Sequence, residues 1–255
     1  MLSRLNGTRI FHPETISVPG ELNLSSEASH HLCTVLRIQM GEPLVVFSGD
    51  GMDYHGKLIF SHKKQARVFI SSAVKNYSES SLSVHLIQAL CKGEKMDFIL
   101  QKSVELGVTE ISPVISERSQ GHKGLKEAEF LTKKTEHYQR VVISACEQSG
   151  RSVIPLVHPI QNLENYFRQT SKNALKGRWI LAPSPENSPL SIKTLTSPSS
   201  TVEFIVGPEG GLSSKEIENA IALDYLPLSL GPRILRTETA ALAFIAGLQS
   251  RFGDF

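Results

Sequence analysis

Phe204-Ile-Val-Gly-Pro-Glu-Gly-Gly-Leu-Ser-Ser-Lys-Glu216, followed by Leu230-Gly-Pro-Arg-Ile-Leu-Arg-Thr-Glu-Thr-Ala240, is the stretch from which the fold is read. Each half reads as a buried strand that runs into a glycine-containing loop and then a helix. Two such loops close together in sequence, each at the carboxyl end of a strand, are the elements of an α/β ligand site. Their chemistries differ. The first is nearly bare backbone with one carboxylate, Glu209; the second carries Arg233, Arg236, Thr237, Glu238 and Thr239. Ser213 and Glu216 form a capping-box pair that predicts a helix start directly after the first loop. The first loop lacks Gly-x-Gly-x-x-Gly and Gly-Lys-Ser/Thr, so it is neither a dinucleotide fingerprint nor a phosphate loop. A tight turn without ligand stays open for it, and an internal salt bridge with a Thr N-cap stays open for the second. The helix expected from near Thr239, Ala240-Ala-Leu-Ala-Phe-Ile-Ala-Gly-Leu248, is apolar on all sides and predicts a position deep in a core or at a subunit interface.

Upstream, the rhythm of the chain changes once. Leu44–Phe47, Lys57–Phe60 and Ala66–Ile70 are short apolar runs, the last two separated by polar residues in hairpin fashion, and only Glu27–Leu36 reads as helix. This predicts a small β-rich domain. Lys75–Ser83 is polar and serine-rich and serves as the expected linker. Beyond it, strands at Val84–Leu90, Ile111–Ile115, Trp179–Leu181 and Val202–Val206 alternate with helices at Lys95–Leu106 and Phe130–Cys146. On the second helix Phe130, Leu131, Val141, Val142 and Ala145 are expected on or near one face. Alternation of this kind implies a mainly parallel sheet covered on both sides. The expected domains are 1–74 and 75–255, with Pro183–Ser200 as a long loop.

Bulk properties narrow the class. A 255-residue chain with 40% hydrophobic and 20% charged residues buries a normal core, and a net charge of +2 does not mark a nucleic-acid binder. The N-terminus lacks a signal-peptide core, and the most apolar stretch is too short to span a bilayer, so a cytoplasmic protein without membrane attachment is expected. Cys33, Cys91 and Cys146 follow no metal pattern, and His30-His31 point apart without a third ligand. No metal is expected.

The motifs resemble those of the SPOUT class of S-adenosylmethionine-dependent RNA methyltransferases, and most closely the 16S ribosomal RNA uridine N3-methyltransferase (RsmE-like) family. Besides the two loops, the resemblance rests on Arg9-Ile-Phe-His-Pro13, His30-His-Leu-x-x-Val-Leu-Arg37 with Gly41, Lys92–Asp97, Glu105–Val108, Glu117–Ser119 and Glu147–Arg151, all in the family's order. Asn162–Ser200 carries little that matches. The resemblance implies a PUA-like β-barrel followed by a trefoil-knotted α/β domain, a knot being something chain-topology rules would not predict. It implies S-adenosyl-L-methionine held by Leu181, Gly207, Glu209, Gly210, Gly211, Leu230, Gly231, Ile234, Leu235, Thr237, Thr239 and Ala240. Arg236 and Glu238 would be catalytic, and Arg9, Arg37, Lys92, Lys95, Arg118 and Arg151 would contact RNA along a basic track shared by the two domains. The expected partners are 16S ribosomal RNA, within the small ribosomal subunit, and a second copy of the chain in a homodimer. Three rivals remain at this level: a SPOUT enzyme acting on transfer RNA or another ribosomal site, a nucleotide-dependent enzyme of another α/β class, and a non-catalytic ribosome-assembly factor.

Overall fold

A computed structural model describes residues 7–62, 64–119, 128–170, 177–182, 192–195 and 201–255. The chain divides into two compact units. One takes the chain up to Glu79 together with Cys146–Ile154, and the other takes Ser80–Ala145 and Pro155–Phe255.

The first unit is built on β1 (Thr8–Phe11), β2 (Gly20–Asn23), β3 (Pro43–Phe47), β4 (Met52–His62) and β5 (Gln65–Lys75). They form one five-stranded sheet in the order β1-β3-β4-β5-β2, with β1 parallel to β3 and the other pairs antiparallel. Residues on β5 alternate between exposed and buried over Gln65–Ile70, so Ala66, Val68 and Ile70 face a core shared with Ile10, Leu44, Val46 and Leu58. The expected hairpin is present with much longer strands than the apolar runs suggested. The helix α1 (Ser26–His30), capped by Ser25, passes directly into a π-helical turn, His31–Val35, that buries Leu32.

Arg9 and Arg151 also have partners within the protein. Both were expected to reach phosphates, and both guanidiniums are used inside this unit. Arg9 pairs with Asp53 at 3.0 Å and donates to Ser152 Oγ at 2.7 Å, with its side chain 13% exposed. Arg151 grips Glu79 through Nε at 3.0 Å and Nη2 at 2.5 Å. Glu147 accepts from the Phe11 N–H at 3.0 Å, so Glu147–Arg151 is an internal tie of the unit. Burial opposes ionisation of Asp53, but hydrogen bonds from Arg9, Ser152 and Asn76 outweigh it and hold its carboxyl below the ordinary value.

The second unit carries β6 (Ser83–Ala89), β7 (Glu110–Ile115), β8 (Leu156–Val157), β9 (Gln161–Asn162), β10 (Gly177–Leu181), β11 (Thr201–Val206) and β12 (Leu226–Leu228). These make a seven-stranded sheet, β12-β10-β11-β6-β7-β8 with β9 also on β7, in which every pairing is parallel. Because helices cover such a sheet, its central strands are apolar nearly throughout; Val202 through Val206 are all buried. The helix α2 (Lys95–Glu105) packs against α6 (Thr237–Phe252). The helices α4 (Leu163–Gln169) and α5 (Ser214–Ala222) supply Leu163, Tyr166, Phe167 and Ala220 to a core with Ile87, Ile180 and Ile205.

Three helix readings change. The long helix α3 (Ala128–Ser149) buries Tyr138, Val142 and Ala145, while Phe130 is 48% exposed. Helix α6 starts at Thr237 rather than near Thr239, and in the single chain it is not buried all round, since Ala243 is exposed. Strand β12 is the strand expected ahead of the second loop, whereas helix α4 lies in a stretch that gave no sequence signal. Most of the expected Pro183–Ser200 loop lies outside the described residues, apart from a 3-10 turn at Ile192–Thr194. No helix among the described residues is long and apolar enough to cross a membrane.

Candidate cofactor cleft

The parallel strands β10, β11 and β12 end together, and the loops that leave β11 and β12 enclose a cleft of about 770 Å³. A smaller hollow of about 320 Å³ adjoins it, and Leu181, Ala182, Ile234, Leu235 and Ala240 line both. This is where a parallel sheet presents backbone groups unused by its ladder.

The first loop is shaped by close backbone approach. A Cβ on Gly207 would lie 3.0 Å from Leu212 Cγ and 3.1 Å from the Leu212 nitrogen. Gly211, at φ +69°, closes the turn by donating its N–H to Pro208 O at 2.9 Å. Both capping-box bonds form: Ser213 Oγ accepts from the Glu216 N–H at 3.3 Å, and Glu216 Oε2 accepts from the Ser213 N–H at 2.8 Å. Glu209 is held by the Lys92 N–H at 3.2 Å and Lys95 Nζ at 3.1 Å. Burial alone would raise its pKa, but its own N–H, Lys95 and the Lys92 N–H lower it overall, so it is a fixed carboxylate at neutral pH. Arg118 Nη1 donates to Gly210 O at 3.2 Å and Leu212 O at 3.4 Å, bracing the loop.

The second loop is tied to the first by a buried relay that the sequence reading missed. Gln88, fully buried on β6, donates Nε2 to Thr237 Oγ1 at 3.1 Å and to Ala89 O at 3.0 Å. Thr237 in turn donates to Gly207 O at 2.6 Å. A polar residue within Val84-His-Leu-Ile-Gln-Ala-Leu90 is the signal that was available, because an amide so placed needs partners. Thr237 therefore is not an N-cap. That position falls to Arg236, whose side chain makes no capping bond.

The structure gathers most of the expected cofactor residues here. Leu181, Gly207, Glu209, Gly210, Gly211, Leu230, Gly231, Ile234, Leu235, Thr237 and Ala240 all line the two hollows, and Arg236, Arg118 and Lys95 join them. Thr239 and Glu238 do not line either. Glu238 Oε2 is buried with no hydrogen-bond partner, and among the described residues no ion pair joins Glu238 to Arg236. Cys91, near the cleft, is pushed up to about 11 by burial and is no thiolate nucleophile. Lys92 is exposed beside the loop it contacts, and Arg37, exposed in the first unit, has φ +55°. A cleft with an apolar floor, backbone walls and cationic side chains suits a small ligand with a polar tail and a reaction that builds negative charge.

Comparison with known proteins defines the class. Residues 78–249 match a family model described as an RNA methyltransferase domain, and residues 24–71 match one described as an RNA methyltransferase PUA domain. The chain is 34% identical to the ribosomal RNA small subunit methyltransferase E of Buchnera aphidicola (subsp. Acyrthosiphon pisum), over 97% of this chain and 94% of that protein. The solved enzyme of the same description from Neisseria gonorrhoeae, bound to S-adenosyl methionine, is 36% identical with a TM-score of 0.88, covering 98% of this chain and 99% of that one. A Legionella pneumophila protein, described as a methyltransferase and solved with SAM, is 38% identical with a TM-score of 0.89, over 98% of this chain and 100% of that one. This chain belongs to the ribosomal RNA small subunit methyltransferase E family.

Proposed function

We propose that this chain methylates N3 of a uridine in 16S ribosomal RNA, using S-adenosyl-L-methionine bound in the cleft between the two strand-end loops. The observation that carries the reading is the Gly207 turn: backbone so tight that a Cβ would lie 3.0 Å from Leu212 Cγ, tied through Thr237 to the loop bearing Arg236. The donor set fits the cofactor, with Leu181 and Leu235 as an apolar floor and loop backbone for its polar groups. When bound, the cofactor supplies an electrophilic methyl group. The protein's own task is orientation and charge control. Arg236 is placed to stabilise the charge that spreads to the uracil oxygens as N3 loses its proton. The pairing edge must be free, so the uridine is held unpaired. Mapping methylated nucleotides in ribosomal RNA from cells with and without the gene tests the reaction and its position.

The same reading includes the trefoil knot in the segments around Gly207 and Leu230, a homodimer and a cytoplasmic location. The exposed apolar Ile234 and the uncovered Ala243 face of α6 support a second copy, and light scattering of the purified chain checks it.

Cofactor affinity tests the cleft itself. Calorimetry should find one S-adenosyl-L-methionine site per chain. Gly207→Val should weaken it, since Leu212, 3.0 Å from the added Cβ, must give way to the branch. Thr237→Val should weaken it about tenfold, because a buried amide hydrogen of Gln88 is left unsatisfied at a cost of about 1–3 kcal/mol. Thr237→Ser, which keeps the hydroxyl, should bind normally. Equal affinity in all three variants removes the cleft from cofactor binding.

For RNA we retain Arg37 in the first unit and Lys92, Lys95 and Arg118 in the second. Arg9 and Arg151 belong to the same proposed track, and their ion pairs also shape the first unit. Neutralising Arg37 and Lys92 together should flatten the dependence of RNA affinity on salt, by about 0.7–0.9 in log–log slope per lost phosphate contact. An unchanged slope would make them ordinary surface charges.

A further inference from the structure

At the opposite end of the sheet from the cleft lies a row of charge. Arg178 on β10, Glu203 on β11, His85 on β6 and Glu110 on β7 are successive register partners across four parallel strands. Register partners project to the same face, and so do residues two apart on one strand. Leu156 is the next partner, on β8. His158 lies two residues further along, so the row ends on a second imidazole. The inner half is closed: Arg178 Nε contacts Glu203 Oε1 at 2.6 Å, and both side chains are at most 4% exposed. The outer half is open to solvent, with the side chains of His85, His158 and Glu110 12%, 33% and 44% exposed.

We propose that His85, Glu110 and His158 form a zinc site that ties β6, β7 and the segment after β8 together. Among the described residues, these three each offer a ligand atom within 4.8 Å of the other two. Two imidazoles and one carboxylate with a fourth position open to water is an established zinc donor set, and imidazole donors disfavour calcium and magnesium. His158 Nε2 and Glu110 Oε2 lie 3.0 Å apart. Adjacent ligands of a tetrahedral zinc with bonds of about 2.0–2.1 Å are about 3.3 Å apart, so this pair already spans close to one edge. The support around His85 suits a ligand. Its Nδ1 lies 3.9 Å from Glu203 Oε2, a carboxylate of opposite charge to a protonated or metal-bound ring, and Glu203 is itself fixed by Arg178 and by Tyr225 Oη at 2.7 Å. Nε2 meets the buried Ser112 Oγ at 2.9 Å, on the same face of β7 as Glu110, so a metal ion would take the place of that hydrogen bond. Sequence reading considered His30-His31 for a metal and missed this trio, whose members are brought together only by strand register.

The site is independent of the methyltransferase reading and is tested separately. Full-length chain stripped of metal is titrated with Co²⁺ alone and with Zn²⁺ alone. The expected result is one equivalent per chain, with visible cobalt absorption that zinc displaces, and a zinc-dependent rise in melting temperature. His158→Ala and Glu110→Gln lie at the exposed rim and should fold like the parent in metal-free buffer. Each should weaken binding by more than the about 10- to 100-fold typical of losing a ligand's hydrogen-bonded neighbour. His30→Ala/His31→Ala should bind as the parent does. The absence of saturable binding, or stoichiometric binding that survives both rim substitutions, overturns the proposal and leaves the row as a hydrogen-bonded ion ladder.

Discussion

Arg236→Ala should bind S-adenosyl-L-methionine with nearly parental affinity and methylate a ribosomal substrate about 100- to 1000-fold more slowly. That magnitude is typical of losing one pre-placed donor to a developing oxyanion. The local structure separates this role from a structural one. Arg236 is the N-cap of α6, but only its backbone serves there: φ −65° and ψ 155° suit alanine, and the side chain makes no capping bond. The guanidinium is exposed and lines the cleft. Its removal should therefore change stability by no more than about 0.5 kcal/mol, as for ordinary surface positions. An interaction made mainly in the transition state lowers turnover and leaves ground-state binding intact. Arg236→Lys keeps the charge without the planar fork and should recover only part of the rate. Early melting or loss of self-association in Arg236→Ala would assign it a structural role, and near-parental turnover would remove it from the chemistry.

The parts of this molecule that were legible in its sequence are those where local rules act alone. Ser213 and Glu216 predicted a helix start because a capping box needs only four consecutive residues, and both its bonds are present. The alternation of apolar runs and helices predicted a parallel sheet, since a strand buried on both faces has little room for polar residues. Arg9 and Arg151 show the opposite limit. A basic residue in a motif reads the same whether it faces a phosphate or Asp53 and Glu79, and only the fold reveals that those carboxylates are adjacent. Gln88 was hidden for a similar reason: its partner Thr237 lies 149 residues away. Strand β12 is three residues long, and Pro227 at its centre argues against a strand. Its place beside β10 is decided by tertiary packing.

The buried pair that anchors the charged row should dominate the stability of the second unit. Arg178 and Glu203 are 4% and 3% exposed at their side chains, and Tyr225, fully buried, donates its hydroxyl to the same carboxylate. Arg178 also donates to Leu223 O at 3.0 Å and lies over the Tyr225 ring. Removing one member of a buried ion pair strands the other charge in a poor solvent, at a cost of about 3–5 kcal/mol. Arg178→Met should lose that much in denaturant unfolding of metal-free protein. Desolvation of Glu203 should then be the larger part of the loss, and a second substitution that neutralises the carboxylate should return much of it. Glu203→Gln is the appropriate partner, because a neutral amide oxygen still accepts the Tyr225 hydroxyl, which leucine would leave unsatisfied. Arg178→Met/Glu203→Gln should accordingly be more stable than Arg178→Met alone by about 2 kcal/mol or more, a coupling of the size expected for residues in direct contact. Additive losses in that cycle would mean that the contacts of Arg178 with Leu223 and Tyr225, and not its charge, hold β10 to the C-terminal end of α5.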